Sequence, residues 1–245
     1  MNTVIKPLVI ATAMSVAGLV STAQAADVDA SGIEATPIQG LSGNIGVVSQ
    51  YIFRGGVEND GASVQGGLDW AADNGIYVGY WGSNLGYGDD GANGVENDFY
   101  VGWGGGDKFT YDIGLLYYYY LNVDDANVPE LYGSLGWGPL SFGAAYATDD
   151  ANWTNKGDIY WSLTAEGEVG GGFTLGAKAG WYTYEKEGEF ISSTESSGFR
   201  DLDLYVSHPL GATGADMGIK YIVGGKDRDG NDLDDNLVFS LSMGF

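Results

Sequence analysis

The sequence predicts an all-β chain, a transmembrane up-and-down antiparallel β-barrel of about twelve strands. Three observations predict it. The chain ends on an amphipathic strand that stops at an aromatic residue, the links between strand-like segments alternate in length, and aromatic residues gather at the two ends of those segments.

In the final segment Leu237, Phe239, Leu241, Met243 and Phe245 alternate with Val238, Ser240, Ser242 and Gly244. Successive side chains of a strand point to opposite faces, so the first set forms one apolar stripe. Lipid outside and water inside call for this dyad pattern. At the other end, Met1 to Ala25 carries one charge (Lys6), an apolar run from Pro7 to Val20, and Ala23-Gln24-Ala25 before Ala26. These are the parts of a Sec signal peptide. Residues 26–40 are then expected to be a periplasmic leader and 41–245 the barrel. No later segment approaches the roughly 18 to 20 apolar residues of a spanning helix. Cysteine is absent, which excludes disulfides and thiol chemistry.

Composition supports the class. There are 42 Gly, 17 Tyr and 7 Trp against 5 Pro, which suits many short strands joined by turns. Loss of Lys6 leaves nine basic residues against 33 acidic ones. Such a surface excludes nucleic acid as a partner, because phosphate binding needs clustered Lys and Arg.

Strands are expected near 41–54, 61–71, 76–84, 96–104, 108–121, 128–137, 139–147, 158–167, 172–184, 199–208, 214–224 and 236–245. The fifth shows the period best, with Phe109, Tyr111, Ile113, Leu115, Tyr117, Tyr119 and Leu121 on one face. The ninth repeats it with Phe173, Leu175, Ala177, Ala179 and Trp181. The third, from Ile76 to Trp81, is apolar on both faces and stays ambiguous.

Links at 72–75, 105–107, 136–139 and 168–171 are tight, whereas those near 55–60, 85–95, 122–127, 148–157, 185–198 and 225–235 are longer and acidic. Short periplasmic turns alternating with long outer loops are the up-and-down topology, and an even strand count puts both termini in the periplasm. The six longer links hold 17 Asp and Glu against four basic residues. With this topology Trp70, Trp103, Phe109, Tyr111, Trp137, Phe173 and Phe245 form a periplasmic girdle. Tyr51, Phe53, Phe99, Tyr117, Tyr119, Tyr146 and Trp181 form an outer one, at the depths amphipathic rings prefer.

Leu41-Ser42-Gly43-Asn44-Ile45-Gly46-Val47-Val48-Ser49-Gln50-Tyr51-Ile52-Phe53-Arg54-Gly55-Gly56, followed by Ser63-Val64-Gln65-Gly66-Gly67-Leu68-Asp69, resembles the opening of the TorF-type porins. That family has a Ser-x-Tyr-x-x-Arg-Gly stretch before a Gln-Gly-Gly-type strand. The size and layout match over the whole chain after the leader, and the distinctive motif over the first two strands. The resemblance implies the outer membrane of a Gram-negative bacterium and a channel. It also implies that Phe245 is read by the barrel-assembly machinery.

The lumen face, read by strand parity, collects Gln50, Arg54, Gln65, Asp69, Glu96, Asp98, Asp112, Glu130, Glu166, Asp201 and Asp203, with Lys178 and Lys220 at mid-height. Arg54 is expected at the outer end of the first strand, either as a constriction cation or as a forked clamp onto an acidic neighbour such as Glu96 or Asp98. Lys178, Asp203 and Lys220 fall on three successive strands, as a buried charge ladder or a solute-contacting site. Barrels of eight strands are filled and those of 16 to 18 hold wide channels, so about twelve leave a narrow pore.

No enzyme is expected. The only histidine, His208, sits beside Pro209 near a periplasmic turn, away from any outer-rim triad. No cofactor is expected either, except for one Ca²⁺-like loop. There Asp227, Asp229, Asn231 and Asp235 alternate around Gly230, but the twelfth-position Glu is missing. The function expected is passive, cation-preferring diffusion of small hydrophilic solutes or ions, with lipid and lipopolysaccharide as surroundings. The alternative is a non-conducting barrel whose acidic loops bind a partner, divalent cations or the lipopolysaccharide surface. Inward Tyr118, Tyr120, Tyr132, Tyr160 and Tyr182 are the residues that would fill its lumen.

Overall fold

A computed structural model describes residues 39–245; the expected signal peptide and most of the expected leader, residues 1–38, lie outside the described residues. The strands are β1 (Leu41–Val48), β2 (Tyr51–Phe53), β3 (Gly56–Asn59), β4 (Ser63–Ala71), β5 (Ile76–Asn84), β6 (Val95–Gly106) and β7 (Phe109–Leu121). They continue as β8 (Val128–Trp137), β9 (Leu140–Ala147), β10 (Ile159–Gly170), β11 (Phe173–Thr183), β12 (Ser197–Pro209), β13 (Ala215–Gly224) and β14 (Asn236–Gly244). Every strand except β2 and β3 joins one closed antiparallel barrel of twelve, in which β1 pairs with β4 on one side and β14 on the other. Closure leaves no unpaired edge for another chain to extend.

The seam is completed by Phe245. Its N–H donates to the Gly43 carbonyl at 2.9 Å, and its own carbonyl accepts the Gly43 N–H at 2.7 Å. Connections at the end that carries the termini are short, and those at the opposite end are longer. We refer to these as the terminal end and the loop end.

Alternation decides the two faces. Ile45, Val64, Val101, Leu131, Leu175 and Leu241 all point outward and are exposed, whereas their neighbours in sequence face the lumen. An apolar belt of this extent is a surface for lipid. Trp70, Trp103, Phe109, Trp137, Phe173 and Phe245 are exposed near the terminal end, and Phe99, Tyr117, Tyr146 and Trp181 nearer the loop end. The ambiguous third segment resolves as β5 with Ile76 and Val78 exposed and Ser83 buried. Tyr77 turns inward, where its hydroxyl meets Asp112.

One expectation is overturned. The first strand does not run to residue 54, because the chain leaves the wall at Ser49 after β1 ends at Val48. Ser49 ties this departure to β14, its N–H donating to the Phe239 carbonyl and its hydroxyl accepting the Phe239 N–H, both at 2.9 Å. Residues 51–59 then form the separate hairpin β2–β3. Tyr51 and Phe53, expected in the outer girdle, are instead 1% and 8% exposed within the apolar core of the barrel.

Candidate functional site

The hairpin β2–β3 turns through Arg54 and Gly55, whose φ values are 47° and 75°. Two consecutive positive φ values suit the two-residue turn of a tight hairpin, and glycine accepts this freely. Arginine does not. A non-glycine residue there costs roughly 1–2 kcal/mol, so its contacts must hold it.

Those contacts come from the far wall. The Arg54 guanidinium donates through Nη1 to Glu130 Oε1 at 2.8 Å and through Nη2 to Glu130 Oε2 at 2.7 Å. It also donates to the Tyr182 hydroxyl at 3.0 Å and lies 4.6 Å from the centres of the Phe53 and Tyr160 rings. A planar fork matched to a carboxylate and laid on aromatic faces is what arginine offers and lysine does not. Arg54 is therefore the clamp, not a free constriction cation. Its partner is Glu130 on β8, not Glu96 or Asp98.

Sequence reading missed the second half of the clamp. Arg200 Nε donates to the Arg54 carbonyl at 2.7 Å. Asp201 pairs with Gly180 and Phe199 with Trp181, so Arg200 is the extra residue of a bulge, which re-aims its side chain. Trp153, from the loop after β9, was missed too. It packs edge-on against Phe53 and Tyr118, at 6.1 and 5.4 Å between ring centres.

The predicted lumen residues on the barrel strands lie on the inward face, and several of their carboxylates accept a tyrosine hydroxyl. The Tyr100 hydroxyl donates to Asp69, Tyr77 to Asp112 at 2.7 Å, Tyr160 to Asp201 at 2.9 Å and Tyr205 to Glu166 at 2.7 Å. Lys178 lies 3.1 Å from Asp201 and 3.2 Å from Asp203, with Lys220 3.7 Å from Asp203. The three-strand charge ladder is thus assembled. Gln65 is buried, its amide donating to Ser83 Oγ at 3.4 Å, while Gln50 lies at the bend between β1 and β2.

Glu96 and Asp98 on β6 stand apart. Both are fully buried, yet Glu96 Oε2 and both Asp98 carboxylate oxygens have no hydrogen-bond partner. Glu96 Oε1 receives only the Tyr120 hydroxyl, at 3.4 Å.

Outer links close over this region. Arg228 donates to Asp158 at 2.6 Å and to the Ser193 hydroxyl at 3.0 Å, knitting three loops together. The candidate calcium residues around it are placed differently. Asp227 accepts the N–H of Asp229 at 2.9 Å and of Asn231 at 2.8 Å, plus the Asn231 side-chain amide at 3.0 Å. Slight burial works to raise its pKa, but these donors outweigh it and hold the carboxyl below the ordinary range. Asp229 meets the Thr194 hydroxyl at 3.4 Å, and Asp235 accepts the Tyr221 hydroxyl at 2.6 Å. Among the described residues no group of three or more His, Asp or Glu is placed to hold a metal ion. His208 lies at the terminal end, its Nε2 3.0 Å from the Gly171 carbonyl.

Twelve antiparallel strands, apolar outside and charged within, define a barrel of the porin fold. Solved structures share it, two porins among them. The "KdgM porin" superposes with a TM-score of 0.53 at 8% identity, covering 83% of this chain and 98% of that one. A "NanC porin" structure gives 0.51 at 13% identity, covering 82% and 97%. No curated protein matches by sequence. The family described as "Bacterial protein of unknown function (Gcw_chp)" matches residues 33–222, and the chain belongs to that family.

Proposed function

We propose that this protein is a channel of the Gram-negative outer membrane, exported by the Sec pathway, through which small hydrophilic solutes or ions diffuse. The observation that carries the reading is a charged lumen inside an apolar barrel, closed at the loop end by a hairpin that is separate from the barrel sheet. The hairpin that fills the loop end is not a stave of the wall, and its tip is held by the Arg54–Glu130 ion pair together with the Tyr182 hydroxyl and Arg200. The resemblance of the opening motif to TorF-type porins supports the same reading, and so does the fold shared with two porins. Phe245, at the seam, is the residue we assign to recognition by the assembly machinery.

The channel prefers cations. Its long links are acidic, and a mouth of one sign concentrates counter-ions. Lys178 and Lys220, the groups that would favour anions, are engaged by Asp201 and Asp203.

The rival is a non-conducting barrel whose acidic loops bind a partner or cations. It is favoured by one observation: Tyr51 and Tyr118, in the loop-end half of the lumen, are each 1% exposed. Planar-bilayer recording of the refolded protein separates the two. We expect rare openings in the wild type, steady current in Arg54→Ala, and a cation-selective reversal potential under a salt gradient. Silence from folded Arg54→Ala protein would leave the rival standing.

A further inference from the structure

Glu96 and Asp98 lie two residues apart on β6, both facing the lumen and both without exposure to solvent. Three of their four carboxylate oxygens have no hydrogen-bond partner. A carboxylate in such a place is unfavourable unless something positive or a proton meets it. The fork of Arg54 is spent on Glu130, and no hydrogen bond or ion pair from it reaches either carboxylate.

The surroundings say what kind of cation fits. Across the ladder, Asp98 is flanked by Trp81 on β5 and Tyr118 on β7, and Glu96 by Ser83 and Tyr120. Tyr51 of the hairpin packs edge-on against Trp81 at 5.7 Å, and its own hydroxyl is buried and unpartnered. Two carboxylates are thus enclosed by four aromatic rings. A hard divalent ion is best held by several carboxylates in one shell, and among the described residues no group of three or more His, Asp or Glu is gathered to begin one. Aromatic faces and a pair of carboxylates suit a softer, larger organic cation. The same lumen already holds one. The Arg54 guanidinium is bound by a carboxylate and by the ring of Tyr160 in the same manner.

We infer that Glu96 and Asp98, with Tyr51, Trp81, Tyr118 and Tyr120, form a binding site for a small organic cation of the ammonium or guanidinium class, reached when the hairpin moves. This rests on the channel reading and names the class of solute for it. The hairpin both roofs the site and contributes Tyr51 to it, so solute entry and release of the Arg54 clamp are coupled.

The test is calorimetric titration of the refolded, detergent-solubilised barrel with agmatine, at ionic strength fixed with potassium chloride, and separately with calcium chloride. Agmatine carries both a guanidinium and an ammonium. Saturable agmatine binding is expected in the wild type, weakened at least tenfold in Glu96→Gln/Asp98→Asn and unchanged in Asp227→Asn/Asp229→Asn. The site variant removes unpaired buried charge, so it should fold, and heat-modifiability on gels checks this. Arg54→Ala should bind faster. Absence of agmatine binding in both wild type and Arg54→Ala overturns the inference. So does binding indifferent to Glu96→Gln/Asp98→Asn, or calcium binding that those substitutions abolish while agmatine binding is absent. Current through the barrel without agmatine binding would remove this site and leave the channel. Binding without current in Arg54→Ala would do the reverse.

Discussion

Glu130 and Glu166 are both inward carboxylates on barrel strands, yet they live in different media. Glu130, in the loop-end half, is buried and grips Arg54. Glu166, in the terminal half, is exposed and meets only a tyrosine hydroxyl. The contrast recurs along single strands: on β10 Tyr160 is buried and Glu166 is not. Strand parity decides which face a residue takes. What it meets there depends on depth, and depth is set by a hairpin that arrives from elsewhere in the chain.

The sharpest way to break this comparison is to remove one charge from each half. Arg54→Ala leaves Glu130 buried and unpaired, a change that costs about 3–5 kcal/mol in buried pairs. Glu166→Ala should cost less than about 1 kcal/mol, as solvent-exposed charges do. Arg54→Ala/Glu130→Ala should recover much of the loss, since it removes the orphan. Urea unfolding in detergent micelles measures all three, and equal costs for the two single variants would show that the halves do not differ as described.

A second contrast is across the wall. Leu241→Arg places a charge on the lipid-facing belt, where about 2–4 kcal/mol is expected at mid-membrane. Thr174 faces the water of the terminal half beside Glu168 and Ser207, so Thr174→Arg should stay within about 0.5 kcal/mol. Similar losses at both positions would contradict an apolar exterior around a wet interior.

These expectations also mark what was legible in the sequence. The wall was legible because alternation is local: Phe109 to Leu121 announces its own faces, and the alternation of link lengths then orders the strands. Lumen residues followed from parity, and the ladder of Lys178, Asp203 and Lys220 forms across three strands, with Asp201 as a further partner of Lys178 that was not anticipated. The hairpin was not legible, because Tyr51 and Phe53 keep the parity of Ile45 and Val47, and only Ser49 breaks the apolar stripe between them. The signal was Arg54-Gly55-Gly56, a glycine pair at a two-residue turn, read as the end of a long strand. Glu130 as the partner of Arg54 lies 76 residues away, and no local pattern encodes such a pairing.

Glycines under tyrosine rings sharpen the same division with a smaller effect. A Cβ at Gly114 would collide with Tyr132, and one at Gly176 with Tyr205. Tyr132 is buried and hydrogen-bonded to Tyr77 at 2.6 Å, so it has nowhere to go. Tyr205 is only half-buried and meets exposed Glu166, so its ring has more room to shift. Gly114→Ala should cost about 1–3 kcal/mol, the range for overpacking, and Gly176→Ala clearly less. Thermal unfolding monitored by near-ultraviolet circular dichroism ranks the two, and the reverse order would mean that the surroundings of Tyr132 yield more easily than those of Tyr205.

The smallest expected effect lies above the barrel, where the loop of residues 225–235 is pinned twice. Arg228 reaches down to buried Asp158, while Asp227 only organises its own turn. Asp227 has its pKa lowered in the folded chain, so its stabilising share is complete above the ordinary carboxylate range. That share is lost as pH falls through the lowered value. Water screens this exposed carboxylate, which keeps the share below about 1 kcal/mol. Asp227→Asn should therefore speed amide exchange at Asp229 and Asn231 near neutral pH while leaving the barrel strands unchanged. In the wild type the same amides should loosen only on acidification. Calcium chloride should not slow them, because the carboxylate already accepts three donors. Slowing by calcium would instead return this loop to the list of ion sites, and loosening that spread to β13 and β14 would show that the loop supports the wall beneath it.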